Sequence, residues 1–240
     1  PEWLDFPVKT PDDLRRVLDE HYQVDDLNAR FPADWAEKVA AANASDKLIV
    51  VDGGCYYWTL RSLAGVEYAS YLFYDAPELV DELFERYCTV VLEGLRRAAA
   101  HGRVDVIGFG EDIAYKTGPL ISPAMFREFI APYLRDQCRR LDHTLYHLDG
   151  PGATQHLPAL LEIPELHGIQ WTPGAGQAAL DDPCWLPMYR QVLDAGKRLF
   201  LFGVPPAQVK PLLAELNRDQ VIMSTGCRTQ QEAEELLASL

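Results

Sequence analysis

The strongest constraint in this chain is a rhythm. From residue 48 onward, short runs rich in β-branched and aromatic residues recur, and each ends in glycine or a polar loop: LIVVDGG (48–54), VDVIGFGED (104–112), TLYHLDG (144–150), GIQWTPG (168–174), RLFLFGV (198–204) and VIMSTGC (221–227). The stretches between them carry helical patterns. Val80, Phe84, Tyr87 and Val91 fall on one helical face in a long stretch expected to run to about His101. Ser122-Pro123 opens another helix, with Met125, Phe126, Phe129 and Ile130 as its apolar side. Further helices are expected around 156–161, 185–195, 206–216 and 229–240, the last with a capping-box pattern from Thr229 to Glu232. Six strand–helix units in series imply an α/β fold with a parallel sheet and right-handed crossovers.

Residues 1–47 are more polar and form a helical N-terminal segment ahead of the six units at 48–240. Thr10-Pro11-Asp12-Asp13 starts a helix with Leu14, Val17 and Leu18 as its apolar stripe, and a second helix is expected over 34–43. The whole chain reads as a single domain. Its net charge of −14 weighs against nucleic acid or an anionic membrane surface as the main partner. No apolar stretch reaches the ~18 residues of a membrane span and no leader pattern is seen, so a cytoplasmic protein is expected. Five cysteines, an odd number without repeated spacing, do not form a disulfide framework. The first residue is Pro1 rather than methionine, which suggests a processed chain or a piece of a longer one.

In parallel α/β sheets, ligands bind beyond the carboxyl ends of the strands. The loops DGG, GED, HLDGPG, TPG, GVPP and STGC are therefore expected to ring one site. No G-x-G-x-x-G or Walker pattern follows a strand, and the two acids of GFGED would repel a pyrophosphate, so a barrel is favoured over a nucleotide fold. Side chains alternate along a strand, so His147 and Asp149 share one face while Tyr146 and Leu148 take the other. With Glu111 and Cys227 at other strand ends, these four make a candidate zinc shell, because a mixed imidazole, carboxylate and thiolate set suits zinc better than magnesium or calcium. Spacing alone also allows a structural reading, with Cys227 a buried apolar residue and His147 a satisfied core histidine. Glu111 and Asp112 are the candidate catalytic acids. Tyr57, Trp58, Lys116, Gln170 and Trp171 are the candidate substrate contacts; for Tyr57, Trp58 and Trp171, packing over the barrel top is an equal alternative. Cys88 and Cys138 read as helix residues, Cys184 as a loop residue and Cys55 as a pocket lining. His21, His101, His143, His156 and His167 are expected to face solvent.

Three segments carry a family resemblance: GFGEDIAYKTGPLISPAMFREFIAPYLRD (108–136), YHLDGPGATQHLPALLEIPELHGIQWTPGAG (146–176) and VIMSTGCRTQQEAEELL (221–237). They resemble the uroporphyrinogen decarboxylase superfamily, and the likeness runs from about residue 5 to the end. The resemblance implies a (β/α)8 TIM-type barrel. Six units are counted here, matching the family's strands three to eight, so its first two strands would lie ahead of residue 1; a fragment, strands supplied by another chain and a true partial barrel are the three readings. Within the superfamily the chain looks closest to the cobamide-dependent methyltransferases, whose zinc motif is His-x-Cys followed far downstream by Cys. His147 matches the first ligand and Cys227 the last, whereas Asp149 stands where cysteine is usual and implies a harder, less electron-rich site. The resemblance implies zinc and a corrinoid as cofactors, Glu111 as fourth ligand or acid–base group, and as partners a corrinoid protein or free methylcobamide, a small methyl donor or acceptor, and an oligomer. Two alternatives stand beside it: a metal-independent decarboxylase of the uroporphyrinogen type, and a non-catalytic barrel that binds a ligand or a corrinoid protein. The decarboxylase ranks lower because an acidic mouth suits a polycarboxylate poorly.

Overall fold

The computed structural model describes residues 5–25, 27–115 and 118–240. Three helices come first: α1 (Pro11–His21), α2 (Leu27–Arg30) and α3 (Trp35–Asn43). Helix α1 begins at a full capping box. The Thr10 hydroxyl accepts from Asp13 N, and the Asp13 carboxylate accepts from Thr10 N at 3.0 Å. Its stripe of Leu14, Val17 and Leu18 is buried, as the spacing predicts.

Strand β1 (Val50–Asp52) leads into α4 (Tyr56–Asp75) and α5 (Pro77–Ala99). The expected long helical stretch is thus interrupted. Within α4, Gly65 has φ 76°, and a Cβ there would stand 2.8 Å from Phe6 Cε2, so the position needs glycine twice over. At its end, Pro77 cannot continue α4 and instead occupies the first turn of α5. Strand β2 (Val106–Phe109) is followed by a feature the periodicity did not announce, an antiparallel pair β3 (Ala114–Tyr115) and β4 (Gly118–Pro119). Then come α6 (Pro123–Met125), capped by Ser122, a π-helical turn over Phe126–Ile130, and α7 (Ala131–Arg140). The rest alternates: β5 (Thr144–Asp149), a 3-10 turn (Pro151–His156), α8 (Leu157–Leu161), β6 (Gly168–Thr172), α9 (Leu186–Asp194), β7 (Arg198–Phe202), α10 (Pro206–Glu215), β8 (Val221–Ser224) and α11 (Gln230–Ala238).

The six long-range strands form one all-parallel sheet in the order β1-β2-β5-β6-β7-β8. The alternation is the one the rhythm of the sequence implies, and the sheet with its helices is that of a partial TIM-type barrel, the type the resemblance implies. The two faces are unequal. Ile107, Phe109, Tyr146, Leu148, Ile169, Trp171, Leu199 and Leu201 point to the helix side and are buried. Each such side chain contributes about 1.5–3 kcal/mol of burial free energy, and together they hold the helices on the sheet. The other face carries Val50, His147, Asp149, Arg198, Phe202 and Ile222. It is open: Val50 is 61 %, Phe202 48 % and Ile222 47 % exposed.

Candidate functional site

The carboxyl ends of β5 and β6 bring three candidates together. Register pairs His147 with Gln170 and Asp149 with Thr172, so all four side chains rise from the open face. The Gln170 amide donates through Nε2 to the Trp171 carbonyl at 2.9 Å and to Thr172 Oγ1 at 2.8 Å. Its Oε1 lies against His147 Nδ1 in a short contact. On the far side of the imidazole, His147 Nε2 stands 3.9 Å from Asp149 Oδ2, and both side chains are about half-exposed. Two glycines make room for this arrangement. Gly110 ends β2 beneath the imidazole, where a Cβ would come 3.3 Å from the His147 Cβ. Gly150 turns the chain at φ 79° and donates its N–H to the Thr172 carbonyl at 2.8 Å, tying the two strand ends.

Glu111, at the end of β2, does something else. The N-cap of α4 is Cys55, whose side chain caps nothing. Glu111 supplies the missing acceptors from across the chain, taking the N–H of Tyr56 at 2.9 Å and of Tyr57 at 2.6 Å. The carboxyl is 1 % exposed. Burial pushes its pKa up to about 7, against the lowering pull of the α4 N–H groups. Nearby, burial with Glu111 and Asp52 pushes the Cys55 thiol up to about 12, so this cysteine stays protonated at neutral pH.

Asp112 is held at φ 45° by Arg61, whose guanidinium bonds both the Asp112 carboxylate and, at 2.9 Å, its carbonyl oxygen. The same guanidinium lies 4.3 Å from the centre of the Trp58 ring. Trp58 and Arg61 line a cleft of about 500 Å³ with Phe6, Val66, Tyr115 and Leu120. Tyr57 turns inward, fully buried.

The remaining candidates stand apart. Trp171 lies on the helix side of β6, fully buried and 5.0 Å from Trp185, because it alternates with Gln170 and Thr172. Cys227 lines a cavity of about 800 Å³ between β8, α10 and α11, with Met223, Val209 and Leu236. Lys116 lies outside the described residues. Among the described residues no group of three or more histidine, cysteine, aspartate or glutamate side chains converges as a metal shell. The four-residue zinc set expected from sequence is therefore not assembled: His147 and Asp149 stand together, Glu111 is turned into α4, and Cys227 lines the β8 cavity. The pair supplies two donor atoms of the kinds zinc takes, on half-exposed side chains and 3.9 Å apart, where a zinc site has three or four protein ligands.

Two further residues complete the neighbourhood. Thr172 was visible as a signal, since Gln170-x-Thr172 repeats the spacing of His147-x-Asp149 on the adjacent strand. Arg61 had none, because its bond to Asp112 spans 51 positions. One expectation is corrected: His156 does not face solvent. It is fully buried, stacked on Phe126 with ring centres 4.9 Å apart, and burial lowers its pKa to about 4.

A parallel sheet alternating with helices, with its polar cluster at the carboxyl strand ends, defines a chain of the partial TIM-barrel type. This chain belongs to the uroporphyrinogen decarboxylase (URO-D) family, whose profile matches residues 47–181, more than half of its length. Among curated proteins, none matches it significantly.

Proposed function

We propose that this protein moves a methyl group between a corrinoid and a small-molecule acceptor, with zinc held by His147 and Asp149. The observation that carries the reading is the pair itself: an imidazole Nε2 and a carboxylate oxygen face each other at 3.9 Å at the carboxyl ends of the strands, while Nδ1 is already engaged by Gln170. When bound there, zinc would lower the pKa of an acceptor thiol or hydroxyl and so favour its nucleophilic form. The chain's own residues do the rest. Gln170 and Thr172 hold the imidazole in place. Asp149 offers a hard oxygen donor where the related methyltransferases carry cysteine, which favours an acceptor with an oxygen nucleophile alongside thiols. Glu111 fixes the start of α4, and Asp112 fixes Arg61, so both act on the framework of the mouth. The open face beside the pair, with Phe202 and Ile222 uncovered, offers apolar area to a large flat ligand such as a corrin. Arg61 of α4, the cation packed against the β2 loop, is already committed to Asp112 and Trp58 and so is not free to hold a polycarboxylate.

The test is metal content and methyl transfer on the same samples. Wild-type protein reconstituted with zinc is expected to retain about one equivalent, and His147→Ala and Asp149→Ala to lose it. Wild type is also expected to demethylate methylcobalamin in the presence of a thiol or phenol acceptor. Zinc retention that is negligible in wild type, or unchanged in both variants, would remove the metal from the reading. Binding and decarboxylation of a porphyrinogen would replace methyl transfer altogether.

A further inference from the structure

We propose that Gln170 is a positioning residue that locks His147 in the tautomer protonated on Nδ1, so that the bare Nε2 lone pair faces Asp149. Its bearing on catalysis rests on the zinc reading above; the tautomer itself does not.

The argument begins with an atom that cannot change role. The carbonyl oxygen of Trp171 only accepts hydrogen bonds, and one end of the Gln170 amide lies 2.9 Å from it. That end must be the NH₂ group. Its second hydrogen goes to Thr172 Oγ1 at 2.8 Å. The opposite end of the amide is then the carbonyl, and it is this oxygen that meets the imidazole. An oxygen acceptor requires a donor, so Nδ1 carries the hydrogen. Turning the ring over would put a C–H against the carbonyl and forfeit the bond. In the neutral imidazole only one nitrogen is protonated, so Nε2 is left as a lone pair. It points to Asp149 Oδ2, itself only an acceptor when ionised. Two acceptors set face to face without a hydrogen between them repel, unless a cation lies between them.

The lock is rigid because Gln170 is 7 % exposed and its donors are both used. Its strand partner across β5–β6 is His147 itself, so backbone register delivers the amide to the imidazole. Outer partners of this kind orient ligating histidines and raise their basicity, and their loss costs about 10- to 100-fold in metal affinity.

The experiment is long-range ¹H–¹⁵N correlation NMR on protein labelled at histidine, metal-free and at a pH where His147 is neutral, with His147→Ala used to assign its resonances. Wild type is expected to show the Nδ1–H pattern. Gln170→Met, similar in length but without a carbonyl, and Gln170→Asn, which withdraws the carbonyl by one methylene, are expected to revert to the Nε2–H form favoured by free imidazole. Zinc affinity measured on the same proteins is expected to fall about 10- to 100-fold. A wild-type His147 protonated on Nε2 overturns the proposal without any variant being needed, and so does a Gln170→Met protein that keeps Nδ1–H. If the tautomer shifts as expected while no form binds zinc, the positioning role stands and the zinc reading falls.

Discussion

Glu111 and Asp149 are both carboxylates at the carboxyl end of a parallel strand, and they do opposite work. Glu111 is sealed in the core, with its oxygens spent on the backbone N–H groups of Tyr56 and Tyr57. Asp149 is about half-exposed on the open face and looks at the free nitrogen of His147. The functional group is the same, and direction decides. The carboxylate turned inward supports a helix, and the one turned outward is available for a ligand.

The sharpest way to break this contrast is to delete each group and read stability and zinc binding together. Glu111→Ala leaves two buried N–H groups without acceptors, and at about 1–3 kcal/mol each the expected loss is about 2–6 kcal/mol of unfolding free energy by urea denaturation. Asp149→Ala and His147→Ala should change stability by less than about 1 kcal/mol while removing zinc. Equal destabilisation by Asp149→Ala would erase the distinction.

A smaller effect sharpens it through pH. The Glu111 pKa rises from 4.5 to about 7 in the folded protein, so its favourable contribution is complete below pH 4.5 and is lost as pH climbs through 7. The His156 pKa falls from 6.5 to about 4, so its contribution is complete above pH 6.5 and is lost as pH drops toward 4. The two slopes oppose each other across mildly acidic pH. Glu111→Gln should therefore make stability rise more steeply with pH over that window, and His156→Met should make it fall. Parallel pH–stability curves for wild type and both variants would contradict the assigned burial.

The smallest effect concerns Cys227. Because it lines the cavity under β8, Cys227→Ser is expected to leave zinc stoichiometry unchanged and to lower stability by about 1 kcal/mol or less. A loss of zinc as large as that of His147→Ala would mean that the end of β8 reaches the pair in the working enzyme.

Much of this fold is legible in the sequence because strand alternation has a period of two and helix packing a period near four. Hence the six parallel strands, the buried stripe of α1 and the shared face of His147 and Asp149 are all visible in advance. What is not visible depends on distant partners. The role of Glu111 is set by an uncapped helix start 54 and 55 positions away. The burial of His156 depends on Phe126, and the β3–β4 pair has strands of two residues, too short to show any period. The inward turn of Trp171 was implicit in the same alternation that placed Gln170, but a tryptophan beside a glutamine at a strand end reads as a pocket wall until one of the two is assigned a side.

The strand order has a mechanical consequence. In β1-β2-β5-β6-β7-β8 the strands of this sheet lie side by side in the order in which the chain reaches them, and β5–β6 is the central pair. Tension applied at the two termini loads the outermost strands first and strips the sheet inward, one strand with its helix at a time, without any strand threading past another. The His147–Gln170 contact straddles the central seam. It is therefore among the last contacts to part, and a single-molecule pulling trace should show the peripheral units yielding before the segment that holds the site.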